Sequence, residues 1–240
     1  HALGVPMMLF VQGFAATNIY AASGEYGWEG QSVGGADAAR FFNDRFDEFV
    51  GSADSAGGGS AHRRSTCSAL TLDGLEGVAT SSPARYQSAT EQAAYEQGLA
   101  DAAAARGLPI RVDQQSPADL LASVRFGART VARCTADANP ARAADAPDDT
   151  RWRQLGGNAL LLAALGVRPF TDVVWTTVAQ SDPRWGHAFR PHAVHDVLSA
   201  VLTAGPLGFG DLINGTDAAL LRRATRVDGA ILKPAATALR

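Results

Sequence analysis

The chain has 240 residues, 46% of them hydrophobic, and a formal net charge of −3. That length suits one α/β domain with a sizeable core, and the mild acidity argues against a general nucleic-acid binder. No apolar stretch approaches the roughly 20 residues that a membrane span needs. The two cysteines, Cys67 and Cys134, support neither a disulfide framework nor a cysteine-based zinc site.

In chain order, His1 leads straight into an apolar run, Leu3 to Val11, that reads as a strand. No signal-peptide pattern precedes it, so the chain is expected to be a piece of something longer or a mature product. A Gly-rich aromatic loop follows, carrying Tyr20, Tyr26 and Trp28. Ala36 to Val50 reads as a helix with Phe41, Phe42, Phe46, Phe49 and Val50 apolar, and Ser52 to Arg64 as a Gly/Ser loop. Cys67 to Leu72 is a short apolar run ending at Asp73. A helix is expected from about Gln87 to Arg106, ended by Gly107, then a strand from Leu108 to Val112. Pro117 opens a short helix to Val124. Arg129 to Ala136 forms a second apolar run, ending at Asp137, and 139–149 is a Pro/Ala/Asp loop.

Arg153 to Leu165 reads as a helix closed by Gly166. Asp172 to Thr177 is expected as a strand, His192 to Thr203 as a helix, and Pro206 to Gly210 as a short strand. Ala218 to Arg226 is a further helix, and Ala230 to Leu232 a final extended piece. Alternating strands and helices predict βα units on a parallel sheet. About six such strands fall short of the eight in a closed (β/α) barrel. The expected architecture is therefore one (β/α) TIM-type barrel domain over 1–240, forming the later part of a barrel that is incomplete on its N-terminal side.

Asp73 and Asp137 each end a strand-like run and are separated by one helix–strand–helix unit. In a parallel barrel that spacing puts both carboxylates on one rim. Two carboxyls facing one bond are what glycoside hydrolysis requires. Each could equally be a turn aspartate, the commoner use of Asp after a strand.

Several stretches carry a family resemblance. They are Ala163-Ala164-Leu165-Gly166-Val167-Arg168-Pro169, Asp172-Val173-Val174-Trp175-Thr176-Thr177, Ala204-Gly205-Pro206-Leu207-Gly208-Phe209-Gly210-Asp211 and Arg226-Val227-Asp228-Gly229-Ala230-Ile231-Leu232-Lys233-Pro234. Upstream, Arg133-Cys134-Thr135-Ala136-Asp137 and Leu72-Asp73-Gly74-Leu75 match in order. Together the chain resembles the barrel of glycoside hydrolase clan D, the α-galactosidases and raffinose-synthase-like proteins. The resemblance implies that Asp73 is the nucleophile, Asp137 the acid/base and Asp211 a sugar-facing rim residue. Thr71 departs from the clan, which usually has Lys or another polar residue two before the nucleophile. Ala138 and Asn139 follow Asp137 where the clan often has an aromatic or an acid.

Other candidates are weighed on their own chemistry. Arg133 could hold Asp137 or a sugar hydroxyl, or form a structural ion pair. Trp185, Trp28 and Tyr26 lie on loops and could stack on a sugar, whereas Trp175 lies inside a strand and suits the core. His192 and His195 share a helix face but lack a matching third ligand, and Gly57-Gly58-Gly59 lacks the Lys-Ser/Thr of a phosphate loop. The expected function is a retaining glycosidase or transglycosidase on α-galactoside-like carbohydrate. It is expected to need no cofactor or metal and to have neither nucleic acid nor membrane as partner. The alternative is a non-catalytic carbohydrate-binding or structural relative.

Overall fold

A computed structural model of the chain describes residues 7–11, 17–30, 32–50, 67–73, 88–136, 149–182, 186–189 and 192–235. The protein is mixed α/β with parallel strands, as expected. Its contacts divide it into two compact units, 1–130 and 131–240, with the boundary inside a strand.

In the first unit, β1 (Met7–Val11) pairs in parallel with β4 (Cys67–Leu72), Leu9 opposite Leu70 and Val11 opposite Leu72. β4 pairs in parallel with β5 (Ile110–Val112). The chain entering β6 (Arg129–Arg133) lies on the other side of β5, where Ile110 N–H donates to the Ala128 carbonyl at 2.6 Å. One strand thus separates β4 from β6, as the sequence spacing required. The turns and helices between β5 and β6 form the kind of crossover that parallel neighbours need.

The expected aromatic loop contains structure. Asn18 caps α1 (Ile19–Ser23), its Oδ1 accepting from the amides of Tyr20 and Ala21, and Gly24 closes it at φ 68°. A small antiparallel hairpin follows, β2 (Trp28–Glu29) with β3 (Ser32–Val33). Next, α2 (Gly35–Val50) packs on α3 (Ala89–Ala105). Contact is close enough that a Cβ on Gly98 would stand 2.5 Å from the Ala39 amide nitrogen. Phe41 centres this core, edge-on to Tyr20, Tyr26, Trp28 and Phe42 at 5.2–5.6 Å, a favoured aromatic geometry.

Ser88 caps α3 and Gly107 ends it at φ 63°. α4 (Pro117–Ala122) starts at a Ser116/Asp119 capping box with Pro117 in its first turn. Beyond Ala122 the expected helix tightens into a 3₁₀ turn, Ser123–Arg125.

A buried ionic cluster joins α3, α4 and β6. Glu96 and Arg129 are 2% and 3% exposed, with Glu96 Oε2 3.2 Å from Arg129 Nη2. The Gln92 amide donates to Glu96 Oε1 at 3.1 Å and to Asp119 Oδ1 at 2.7 Å. Burial, then the hydrogen bond to Asp119, push the Glu96 carboxyl up to about 8. Burial works against ionised Asp119 too, but hydrogen bonds from Glu96, Ser116 and Gln92 prevail and hold it below the usual range. Glu96 is the partner that keeps a proton.

In the second unit, β6 pairs in parallel with β7 (Arg168–Phe170), which follows α5 (Asp149–Ala164). The single strand expected over 172–177 is instead only β8 (Val173–Val174), because Asp172 at φ 66° breaks the extended chain before it. β8 pairs in parallel with β11 (Gly208–Phe209). An antiparallel hairpin, β9 (Ala179–Asp182) with β10 (Gly186–Phe189), was not foreseen. α6 (Ala193–Leu202) and α7 (Ala218–Ala224) pack Val197, Ala200, Leu220 and Ala224 around Val174. The final extended piece reduces to one bridge, Thr225 with Ile231. No described helix is long and apolar enough to cross a membrane.

Candidate functional site

Asp73 is the first residue past β4 and is half-buried. Two positions earlier, Thr71 is fully buried and its hydroxyl has no hydrogen-bond partner among the described residues. The end of β5 lies alongside, where the Asp113 amide donates to the Leu72 carbonyl at 2.8 Å. Asp113 is buried and takes two hydrogen bonds from Arg111, at 2.6 and 3.2 Å. The sequence reading missed this second strand-end carboxylate, although Arg111 and Asp113 are two apart on a strand and so share a face.

In the second unit, Asp137 and Trp185 lie outside the described residues, but the chain leading to Asp137 is described as far as Ala136. It is held from two sides. Cys134 N–H donates to the Phe170 carbonyl at 2.8 Å, and the Thr135 hydroxyl to the Thr171 carbonyl at 2.9 Å. From α5, the Asn158 amide donates to the Cys134 carbonyl at 3.0 Å, while Gln154 Oε1 accepts from the Ala136 N–H at 3.0 Å. Gln154 and Asn158 are four apart and so lie on one helix face. That spacing was visible in the sequence, yet only the fold shows what the pair grips. Cys134 is buried and outside any disulfide, and its thiol donates to the Phe170 carbonyl at 3.3 Å, so it is not the purely apolar side chain expected.

Arg133, at the end of β6, faces Asp172 across 3.8 Å with both side chains largely buried. This is the ion-pair reading of Arg133. Asp172 also accepts from the Val173 amide at 2.8 Å.

Asp211 sits past β11, and both its oxygens serve the fold. Oδ1 accepts from the Thr176 amide at 2.8 Å and the Gln180 amide at 2.6 Å, and Oδ2 from the Thr176 hydroxyl at 2.9 Å. Gln180 extends the network by accepting from the Leu212 amide at 2.7 Å. Trp175 is buried, as expected, although it lies just past β8 rather than within a strand.

No family model matches this chain, and no curated protein sequence does.

The expected aromatic platforms are placed unequally. Tyr26 is 3% exposed, not overhanging a rim. Its hydroxyl donates to Asp44 at 2.7 Å, and Arg40 covers its ring at 4.6 Å. Burial and Asp44 push the phenol up to about 12. Trp28 is half-buried, with its indole N–H on the Gly30 carbonyl at 3.1 Å. His192 and His195 lie with ring centroids 5.9 Å apart. Among the described residues no three metal-ligating side chains converge.

Proposed function

We propose that the protein is a retaining glycoside hydrolase or transglycosidase of the (β/α)-barrel type, acting on α-galactoside-like sugars. The observation that carries this reading is the position of Asp73, directly after a parallel strand and one strand removed from the strand that leads to Asp137. Active sites of parallel barrels gather at the carboxyl ends of their strands.

In the proposed reaction, an Asp73 carboxylate oxygen attacks the anomeric carbon. The bond to the leaving oxygen breaks, and Asp137 gives that oxygen its proton. Asp137, now ionised, takes a proton from water or from a sugar hydroxyl. The resulting oxygen displaces Asp73 and restores the original anomeric configuration. Trp28 and Trp185 are the proposed stacking residues. With Arg133 paired to Asp172, its proposed part is to fix the end of β6.

The test is turnover of an aryl α-galactoside. Asp73→Asn abolishes it. Asp137→Ala spares activated aryl leaving groups, which need no proton, and loses unactivated ones. Wild-type turnover by the Asp73→Asn variant would sink the reading.

A second reading, a non-catalytic sugar-binding relative, is favoured by Thr71, a fully buried residue where the resembling family usually has Lys or another polar residue. Calorimetric binding of galactosides without any turnover by the unaltered protein would select it.

A further inference from the structure

The second unit contains a concavity of about 570 Å³ at the start of β7, on the opposite end of that strand from Asp172. Its walls come from the last turn of α5, the residues Val167 to Pro169, the turn after α6, and the segment Lys233 to Ala235. Among the described residues two cations line it, Arg168 and Lys233, and no acidic residue does. Among the described residues neither has a carboxylate partner.

Two like charges sharing one hollow are unfavourable unless something compensates them. Helix carboxyl ends could in principle do so, and two reach this hollow. Three of the last four carbonyls of each, however, already accept hydrogen bonds. At the end of α5, the carbonyls of Leu161, Leu162 and Ala163 accept from the amides of Leu165, Val167 and Gly166. At the end of α6, those of Ser199 and Val201 accept from the amides of Thr203 and Ala204, and that of Ala200 from the Thr203 hydroxyl. The cations are not needed as caps.

Lys233 is also presented on an anchored segment. The Thr225–Ile231 bridge and the Leu232 amide bonded to the Ala224 carbonyl at 2.8 Å fix the chain just before it, and Pro234 restricts it just after. Partial burial, then the charge of Arg168, hold Lys233 below the usual lysine range. An anion in the hollow would offset the second of these effects.

We propose that Arg168 and Lys233 form a binding site for a phosphate group, either free phosphate or the head of a phosphomonoester. Arg168 offers a planar fork of donors and Lys233 a point charge, the two ways proteins grip phosphate. The hollow has room for a small organic body behind the head group. This site is independent of the glycosidase reading and survives its failure.

The test is binding to the full chain, measured by thermal shift and by ³¹P line broadening, with inorganic phosphate and methyl phosphate as separate probes and chloride at matched ionic strength as control. Either phosphate should raise the melting temperature where chloride does not. A preference for methyl phosphate identifies a monoester head, and a preference for the free ion identifies phosphate itself. Lys233→Gln and Arg168→Gln should each weaken binding about tenfold or more, and Lys233→Arg should restore most of it. Lys233 lies on an exposed segment, so Lys233→Gln remains informative even if the Arg168 variant does not fold. Equal stabilisation by chloride, or phosphate binding unchanged in Lys233→Gln, overturns the proposal.

Discussion

Replacing Glu96 with glutamine isolates a pH dependence built into the first unit. Glu96 is buried against Asp119, Gln92 and Arg129, and its carboxyl is raised from 4.5 to about 8. Between those values the folded protein holds a proton that the unfolded chain releases. The stabilisation from this group is therefore complete below about pH 4.5 and is lost as pH rises through about 8. At 1.36 kcal/mol per unit, the loss across that window is at most about 5 kcal/mol. Asp119 has the opposite sign: its lowered carboxyl stabilises above the unfolded value of 3.8 and loses that effect as pH falls through its folded value. The side-chain amide of the Glu96→Gln variant would keep the shape and neutrality of protonated Glu96 but cannot ionise. Urea unfolding at pH 5, 7 and 9 should show the variant close to wild type at pH 5 and gaining on it by several kcal/mol at pH 9. A wild-type-minus-variant difference constant to within about 0.5 kcal/mol over that range would refute the protonated Glu96.

Other substitutions test the packing and the polar networks. Gly98→Ala should destabilise by about 1–3 kcal/mol or more in thermal unfolding, because the new methyl meets the backbone of Ala38 and Ala39 rather than a yielding side chain. Phe41→Ala should cost about 3–5 kcal/mol, since it empties the centre of an aromatic cluster. Tyr26→Phe should cost about 1 kcal/mol by removing the bond to Asp44, with no change in galactoside affinity. Asp211→Ala leaves the Thr176 and Gln180 donors without their acceptor and should cost about 1–3 kcal/mol in urea unfolding.

The sequence made the regular elements legible where local chemistry decides them. Gly107 closed α3 and Pro117 marked the start of α4, while the caps Ser88 and Ser116 went unread. Apolar runs of strand length gave β4, β5 and β6. What stayed hidden depends on partners distant in sequence. Asp211 reads as a rim carboxylate until Thr176 and Gln180 are seen to occupy both its oxygens. Tyr26 reads as a loop aromatic until α2 supplies Phe41, Arg40 and Asp44 around it. The break at Asp172 was missed because an apolar run masks one residue in the left-handed region, where Asp is better tolerated than most. Gln154 and Asn158 looked like an ordinary polar helix face, and nothing local to α5 says that they grip Cys134 and Ala136.

The carboxylates differ in what surrounds them. Asp211, Asp113 and Asp119 all accept hydrogen bonds from neighbouring groups, and removing any of them leaves those donors without that acceptor. The lead-in to Asp137 is different. Its backbone is fixed by the Phe170 and Thr171 carbonyls on one side and by two amide side chains of α5 on the other. These four partners constrain three consecutive residues at a strand end. Directional bonds add orientation, and orientation is what a general acid must have relative to the bond it protonates. On the catalytic reading, Gln154 and Asn158 aim the acid/base, and on the binding reading they only shape a loop. Loss of the Asn158 amide in Asn158→Leu therefore distinguishes the two: a fall in kcat with KM unchanged belongs to aiming, and weaker galactoside binding alone belongs to shaping.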